Sequence, residues 1–195
     1  MWEVSPKAAV RRSVSEGDMT GAEAVAPYTV LFICNTNAGR SLIAEAILRQ
    51  EASGHFTAYS AGVNPAHQAD PYAIETLVAE DVPVAGLQPK PLSDFTGPDA
   101  PELDFVFTLC DESAGEPMPE WPGMPLTAHW SIEDAEHVDG SPIDHERAFE
   151  TVFHHIRNRV LAFAALPLRS LDRLSLHSHM QAIGAGTHAP AAIER

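Results

Sequence analysis

Cysteine is almost absent: the 195 residues hold two, Cys34 and Cys110. So few thiols exclude a disulfide-stapled fold. Neither CxxC nor HExxH occurs, so no metal site is expected, and the ten histidines read as surface residues. No apolar run approaches the roughly 20 residues that cross a bilayer. Glu3, Lys7, Arg11 and Arg12 are not followed by an apolar stretch, so no secretory leader is expected. The expectation is a cytoplasmic protein with no membrane partner and both thiols free to react.

Positive charge is scarce as well. Twelve Lys and Arg stand against 27 Asp and Glu, a net charge of −15. That argues against nucleic acid as the main partner, because phosphate contacts need clustered basic side chains. Between Ser13 and Glu146 the only basic residues are Arg40, Arg49 and Lys90, against 23 carboxylates. An anion bound in this stretch must find its guanidinium at Arg40 or Arg49. Lys90 either attracts oxyanions to the edge of such a site or is an ordinary loop lysine. The remaining acidity keeps the surface soluble.

What is present is an ordinary globular chain, 45% hydrophobic and 20% charged, of one-domain length. Residues 1–27 are small, polar and unpatterned and read as a flexible extension, with Met19 as an alternative start. Thr29–Ile33 is a short apolar run rich in β-branched residues, expected to be a strand buried on both faces. After a small, polar stretch, Ile43, Ala44, Ile47 and Leu48 recur at helical spacing from Ser41 onward. Phe56–Ser60, Leu103–Leu109 and Leu126–Trp130 are further strand candidates. Asp70 before Pro71 predicts a helix start. Phe149, Val152, Phe153, Ile156, Val160 and Phe163 predict a long amphipathic helix after Asp144. Ser170 is the expected cap of a last helix, with Leu171 and Leu174 inward and Gly184 near its end. The domain therefore spans 28–184, with a loose tail at 185–195. Strands alternating with helices imply βαβ units around a parallel sheet.

In such sheets ligands sit beyond the carboxyl ends of the strands. Residues 34–41 there read CNTNAGRS, a C-x5-R-S loop between strand and helix. Its backbone amides are expected to turn inward as an anion nest, aided by the helix N-terminus. Ala38 and Gly39 permit close approach, and Arg40 can grip two oxygens. The same surroundings are expected to lower the Cys34 pKa. The alternative is an inert strand-end thiol beside a surface arginine. Asp134, in HWSIED, is a candidate acid above the strand ends, with Glu133 as its rival; a solvated acidic loop is the plainer reading.

The run VLFICNTNAGRSLIAEAILR resembles the loop and first helix of low-molecular-weight protein tyrosine phosphatases and of the arsenate reductases built on their fold. The likeness continues through SAGVNP, QPKPLSDF, LDFVFTLCDESAGE and WPGMPLTAHW, and TLCD, WPG and HW resemble the arsenate reductase branch. It implies a three-layer flavodoxin-like α/β sandwich with a four-stranded parallel sheet. It also implies Cys34 as nucleophile, Asn37 as loop stabiliser, Arg40 as oxyanion clamp, Ser41 as thiolate support and Asp134 as general acid. Asn35, Thr36, Asn37, Ala38, Gly39, Arg40 and Ser41 would bind the oxyanion. The family usually has Pro after the Asp; here Ala135 follows.

Cys110 ends the other strong strand, so both thiols are expected near one crevice. Arsenate would be reduced through a Cys34 adduct, with Cys110 or a small thiol such as glutathione attacking next. No bound cofactor is implied, only an external reductant: glutathione with glutaredoxin, or thioredoxin. Thioredoxin-linked members carry a third cysteine, and the matching position here is Met118. Cys110 as a plain core residue stays open. So do phosphate monoester hydrolysis and a non-catalytic oxyanion-binding module. No aromatic residue follows Asp134 closely to flank a phenyl ring, which favours a small inorganic oxyanion.

Overall fold

A computed structural model describes residues 26–111, 119, 121 and 123–186. The expected extension up to residue 25, the tail from 187 and Met118 lie outside the described residues.

Four strands form one parallel sheet: β1 (Tyr28–Cys34), β2 (Phe56–Gly62), β3 (Phe105–Thr108) and β4 (Leu126–His129), in the order β2-β1-β3-β4. β1 pairs with β2 along its whole length and sets Ile33 opposite Thr108 of β3. The chain moves from β1 to one neighbour and later returns to the other side of β1. That reversal opens a crevice at the carboxyl ends of β1 and β3, the place where α/β sheets bind ligands.

Helices α1 (Arg40–Glu51), α2 (Pro71–Ala79), α3 (Pro142–Ala164) and α4 (Arg173–Gly184) join a large core. Val30, Phe32, Phe105 and Phe107 on one sheet face meet Ile43, Ile47, Phe153, Phe163 and Met180. The other face is covered by a smaller cluster of Leu31, Ile33, Val106, Leu103 and Phe95, the last from a 3-10 turn at Leu92–Phe95. The result is a flavodoxin-like α/β fold in three layers.

Local chemistry explains most boundaries. Asp70 accepts from the Tyr72 amide at 2.8 Å and Pro71 opens α2, as the sequence predicts. α3 starts earlier than expected, because Ser141 caps it and Asp144 closes a capping box from inside the first turn. α4 also differs. Asp172 is its cap, accepting from Leu174 and Ser175, while Ser170 bonds back to Pro167 in the preceding turn. Leu174 is left 76% exposed, and Leu176, Met180 and Ile183 face inward instead.

Trp130 fixes α4 to the sheet. It is buried against Phe107 at a centroid separation of 4.0 Å and donates its indole N–H to the Met180 carbonyl at 2.9 Å. Trp130→Phe removes that donor while the carbonyl keeps its place in the helical ladder, a loss of about 0.5–1.5 kcal/mol for the hydrogen bond. Chemical denaturation should read this as a lower midpoint with an unchanged slope.

Candidate active site

β1 ends on Cys34 and α1 begins at Arg40, so five residues make the turn. Their carbonyls are tied outward. Val63, Asn64, Ala66 and Asp70 donate backbone N–H groups to the carbonyls of Cys34, Asn35, Thr36 and Ala38, at 2.8–3.2 Å. With those carbonyls engaged by the segment after β2, the Asn37 amide is left to turn to the Cys34 sulfur and the Ala38 amide to the Thr36 hydroxyl. Gly62 makes the close approach possible: a Cβ there would lie 2.8 Å from the Asn35 carbonyl.

Cys34 Sγ lies in this turn, fully buried. It meets Ser41 Oγ at 2.9 Å and accepts the Asn37 amide at 3.2 Å. Asn37 has φ of 52°, a left-handed conformation that asparagine tolerates. Its side chain braces the turn by donating to Ser41 Oγ at 2.7 Å and Ser60 Oγ at 2.9 Å, and by accepting from the Lys90 amide at 2.8 Å.

Behind Asn37 stands a carboxylate that sequence reasoning missed. Glu45 on α1 is fully buried; it accepts from Ser60 and pairs with Arg49 and with Lys90 Nζ at 3.1 Å. A charge within the otherwise apolar LIAEAIL was the signal, since a buried carboxylate there needs cationic partners. Arg49 and Lys90 are thus both committed to Glu45, and of the three scarce cations only Arg40 serves the loop. Arg40 donates to the Ile132 carbonyl at 3.2 Å and pairs with Asp134 at 3.4 Å. Its buried Nε has no hydrogen-bond partner among the described residues.

The loop after β4 supplies the acidic side of the site. Asp134 accepts from the Glu136 amide and meets His137 Nδ1, both at 2.9 Å. Burial pushes the Asp134 carboxyl up, but His137, Arg40 and the Glu136 amide outweigh it and hold it below its ordinary value. His137 is correspondingly raised, chiefly by its hydrogen bond to Asp134. Glu133 turns away to His155 on α3 at 2.9 Å. Of the two rival acids, Asp134 is therefore the one beside Arg40. Glu136 was not anticipated: its carboxyl accepts from the Thr36 hydroxyl at 3.0 and 2.8 Å. An open cleft of about 380 Å³ beside Arg40 is lined by Asp111, Ser131, Ile132, Glu133 and Asp134. A cavity of about 350 Å³ at the opposite end of the sheet is lined by Tyr28, His55, Phe56 and Leu168, among others, and neither described cysteine lines it.

The structure corrects one expectation. The Cys34 thiol is pushed above its ordinary value by burial, with Glu136 adding to the effect. Ser41 and Arg40 oppose the rise without cancelling it. The sequence argument counted the helix terminus and the cation but not complete desolvation. Cys110 is buried and unbridged at the end of β3. No cluster of metal-ligating side chains occurs among the described residues. Nor is any described helix long and apolar enough to cross a membrane.

A family model described as low molecular weight phosphotyrosine protein phosphatase matches residues 29–174. The chain belongs to this family. Among family relatives, an arsenate reductase of Bacillus licheniformis is 28% identical over 70% of this chain and 94% of its own length. A glutaredoxin arsenate reductase of Synechocystis is also 28% identical, over 67% and 92%. A solved structure described as an arsenate reductase in the phosphate binding state superposes with a TM-score of 0.57. It shares 25% identity, covering 71% of this chain and 97% of that one. The match to the phosphatase family spans both the C-x5-R-S loop and the Asp134 loop.

Proposed function

We propose that this member of the phosphatase family reduces arsenate to arsenite, with Cys34 as nucleophile. The observation that carries the reading is the Cys34 sulfur held by Ser41 and the Asn37 amide, next to an arginine whose Nε donor is still free to bond among the described residues. The names of its relatives support arsenate over a phosphoester, as does Glu136 at the mouth where a phenyl ring would need an apolar neighbour.

Cys34 passes its proton to an oxygen of the dianionic arsenate as it settles, and the sulfur attacks arsenic. A S–As bond forms and one oxygen leaves as water, taking a proton from the Asp134–His137 pair. Arg40 and the loop amides hold the remaining oxygens. A second thiolate then attacks the Cys34 sulfur. The S–As bond breaks, its electron pair stays on arsenic, and arsenite departs while a disulfide forms. An external thiol system reduces that disulfide.

Strand parity stops short of the second thiol. Leu109 donates to the Ile33 carbonyl and packs with Phe105 and Phe107 in the larger core, level with Cys34. Cys110, the next residue, lies two positions beyond the end of β3, where the chain bends and strand alternation no longer applies. Met118 stands where thioredoxin-linked members carry a third cysteine, so a small external thiol such as glutathione is the preferred second sulfur, and substitution of Cys110 tests it. Cys110→Ser should keep reduction with glutathione and glutaredoxin within about threefold, a change of less than about 0.7 kcal/mol in the barrier. Loss of turnover in that variant would make Cys110 the second sulfur.

The decisive assay offers arsenate with glutathione–glutaredoxin and with thioredoxin separately, and an aryl phosphate beside them. Arsenite production is expected with at least one thiol system. Turnover of the aryl phosphate alone would make the protein a phosphatase, and binding without turnover a non-catalytic module. The sequence-derived domain limits add an expectation. A chain lacking the residues before Pro27 should fold and turn over as the full chain does, read by thermal melting and the same assay.

A further inference from the structure

Among the described residues, Glu136 is the carboxylate whose side chain bonds to the turn between β1 and α1. Thr36 Oγ1 donates to both of its oxygens, and the same Thr36 oxygen accepts the Ala38 amide at 3.2 Å. The carboxyl also presses on Gly39: a Cβ at that position would lie 3.0 Å from Glu136 Oε1 and 3.1 Å from Phe149. A larger residue at 39 would make the acid or the Phe149 ring give way by a few tenths of an ångström. The group is therefore built into the rim of the nest, not left in solvent as a negative loop residue usually is.

Its neighbours are mostly of the same sign. Asp134 lies on its own loop, Asp70 at the start of α2, and Cys34 in the turn below; Arg40 is the nearby cation and α3 presents the apolar Phe149. Burial, then Asp134 and Asp70, push the Glu136 carboxyl above its ordinary value, against the pull of Thr36 and Arg40. A carboxyl in this position can hold a proton when negative charge arrives beside it.

We propose that Glu136 is a specificity-determining carboxyl gate that admits oxyanions able to bring a proton and disfavours obligate dianions. The inference rests on the loop being an oxyanion site, as proposed above. A monoanion meeting the carboxylate and a dianion meeting the protonated acid carry the same charge and the same proton. Arsenate and phosphate reach that state at neutral pH because they exchange protons there. Sulfate does not, so it binds only when solution supplies the proton to Glu136. Sulfate affinity must then fall as pH rises through the Glu136 pKa. His137 titrates as well; Asp134 raises it most and Glu136 adds a smaller push, so in Glu136→Gln it still titrates, at a somewhat lower pH. Asp134 is held low and Cys34 high, which keeps both out of the neutral range.

The test is calorimetric titration of the full chain, thiols reduced, with sulfate and with inorganic phosphate, from about pH 5 to about pH 8. The wild type and Glu136→Gln are compared. Glutamine keeps the shape and can still accept from Thr36. The wild type should favour phosphate, and its sulfate affinity should drop steadily with pH. Glu136→Gln should bind sulfate about tenfold more tightly near pH 8, equivalent to about one pKa unit of interaction. It should lose most of the pH slope and most of the preference for phosphate. Equal sulfate affinity and equal slope in the two proteins, with binding intact, would overturn the gate and leave the oxyanion site standing. Failure of both anions to bind either protein would remove the oxyanion site, and the gate with it.

Discussion

Cys34→Ser should stop arsenate reduction while leaving the fold and oxyanion binding in place. The hydroxyl retains the contacts offered by Ser41 and the Asn37 amide, and it is smaller than the thiol, so the buried site accommodates it. What disappears is chemistry. An alcohol is far less nucleophilic than a thiolate at neutral pH, and the second step needs a sulfur that another thiol can attack. Loss of turnover by about 10⁴-fold or more is expected, the scale seen when a nucleophile is removed from an assembled site. Arsenite release measures the loss, and sulfate or phosphate titration of the same variant checks that the loop survives. Residual turnover within about tenfold of the wild type, a barrier change near 1.4 kcal/mol, would assign the nucleophile elsewhere.

Arg40→Lys is the second large effect. The guanidinium serves the Ile132 carbonyl and Asp134 at once, and its buried Nε keeps a donor with no partner among the described residues. An ammonium is a point donor on a longer stem and cannot serve these together. It must either keep Asp134 or turn to the anion. Loss of one or two charge-assisted hydrogen bonds of about 1.5–3 kcal/mol each gives about a hundredfold weaker phosphate binding. Turnover should fall at least as far, since the same oxygens gain charge in the transition state. Titration calorimetry with phosphate reads the first effect directly. Affinity within about twofold of the wild type, some 0.4 kcal/mol, would mean that the amides alone hold the anion.

The parts of this fold that were legible in the sequence are those encoded by neighbours along the chain. Thr29–Ile33 announces a central strand because both its faces are apolar. The C-x5-R-S spacing announces the turn because strand, turn and helix are contiguous. Asp70 followed by Pro71 announces α2 for the same reason. α4 was placed correctly but capped wrongly. Ser170 and Asp172 are both competent caps, and only packing of Leu176, Met180 and Ile183 against the sheet chooses between them. The site was legible where it is local and opaque where it is assembled. Glu45 reaches Ser60 and Lys90, and Glu136 reaches Thr36, a hundred residues away. The Cys34 proton depends on burial by several elements together, which no local pattern reports.

The four hydrogen bonds from Val63, Asn64, Ala66 and Asp70 to the carbonyls of the turn have a thermodynamic consequence. The backbone order that an anion demands is already imposed when the chain folds, so capture of the guest brings little further loss of conformational freedom. Those four amides become internal reporters. Their deuterium uptake should be slow in the ligand-free protein and change little when phosphate is added, since they unlock only when the β1–β2 region itself opens.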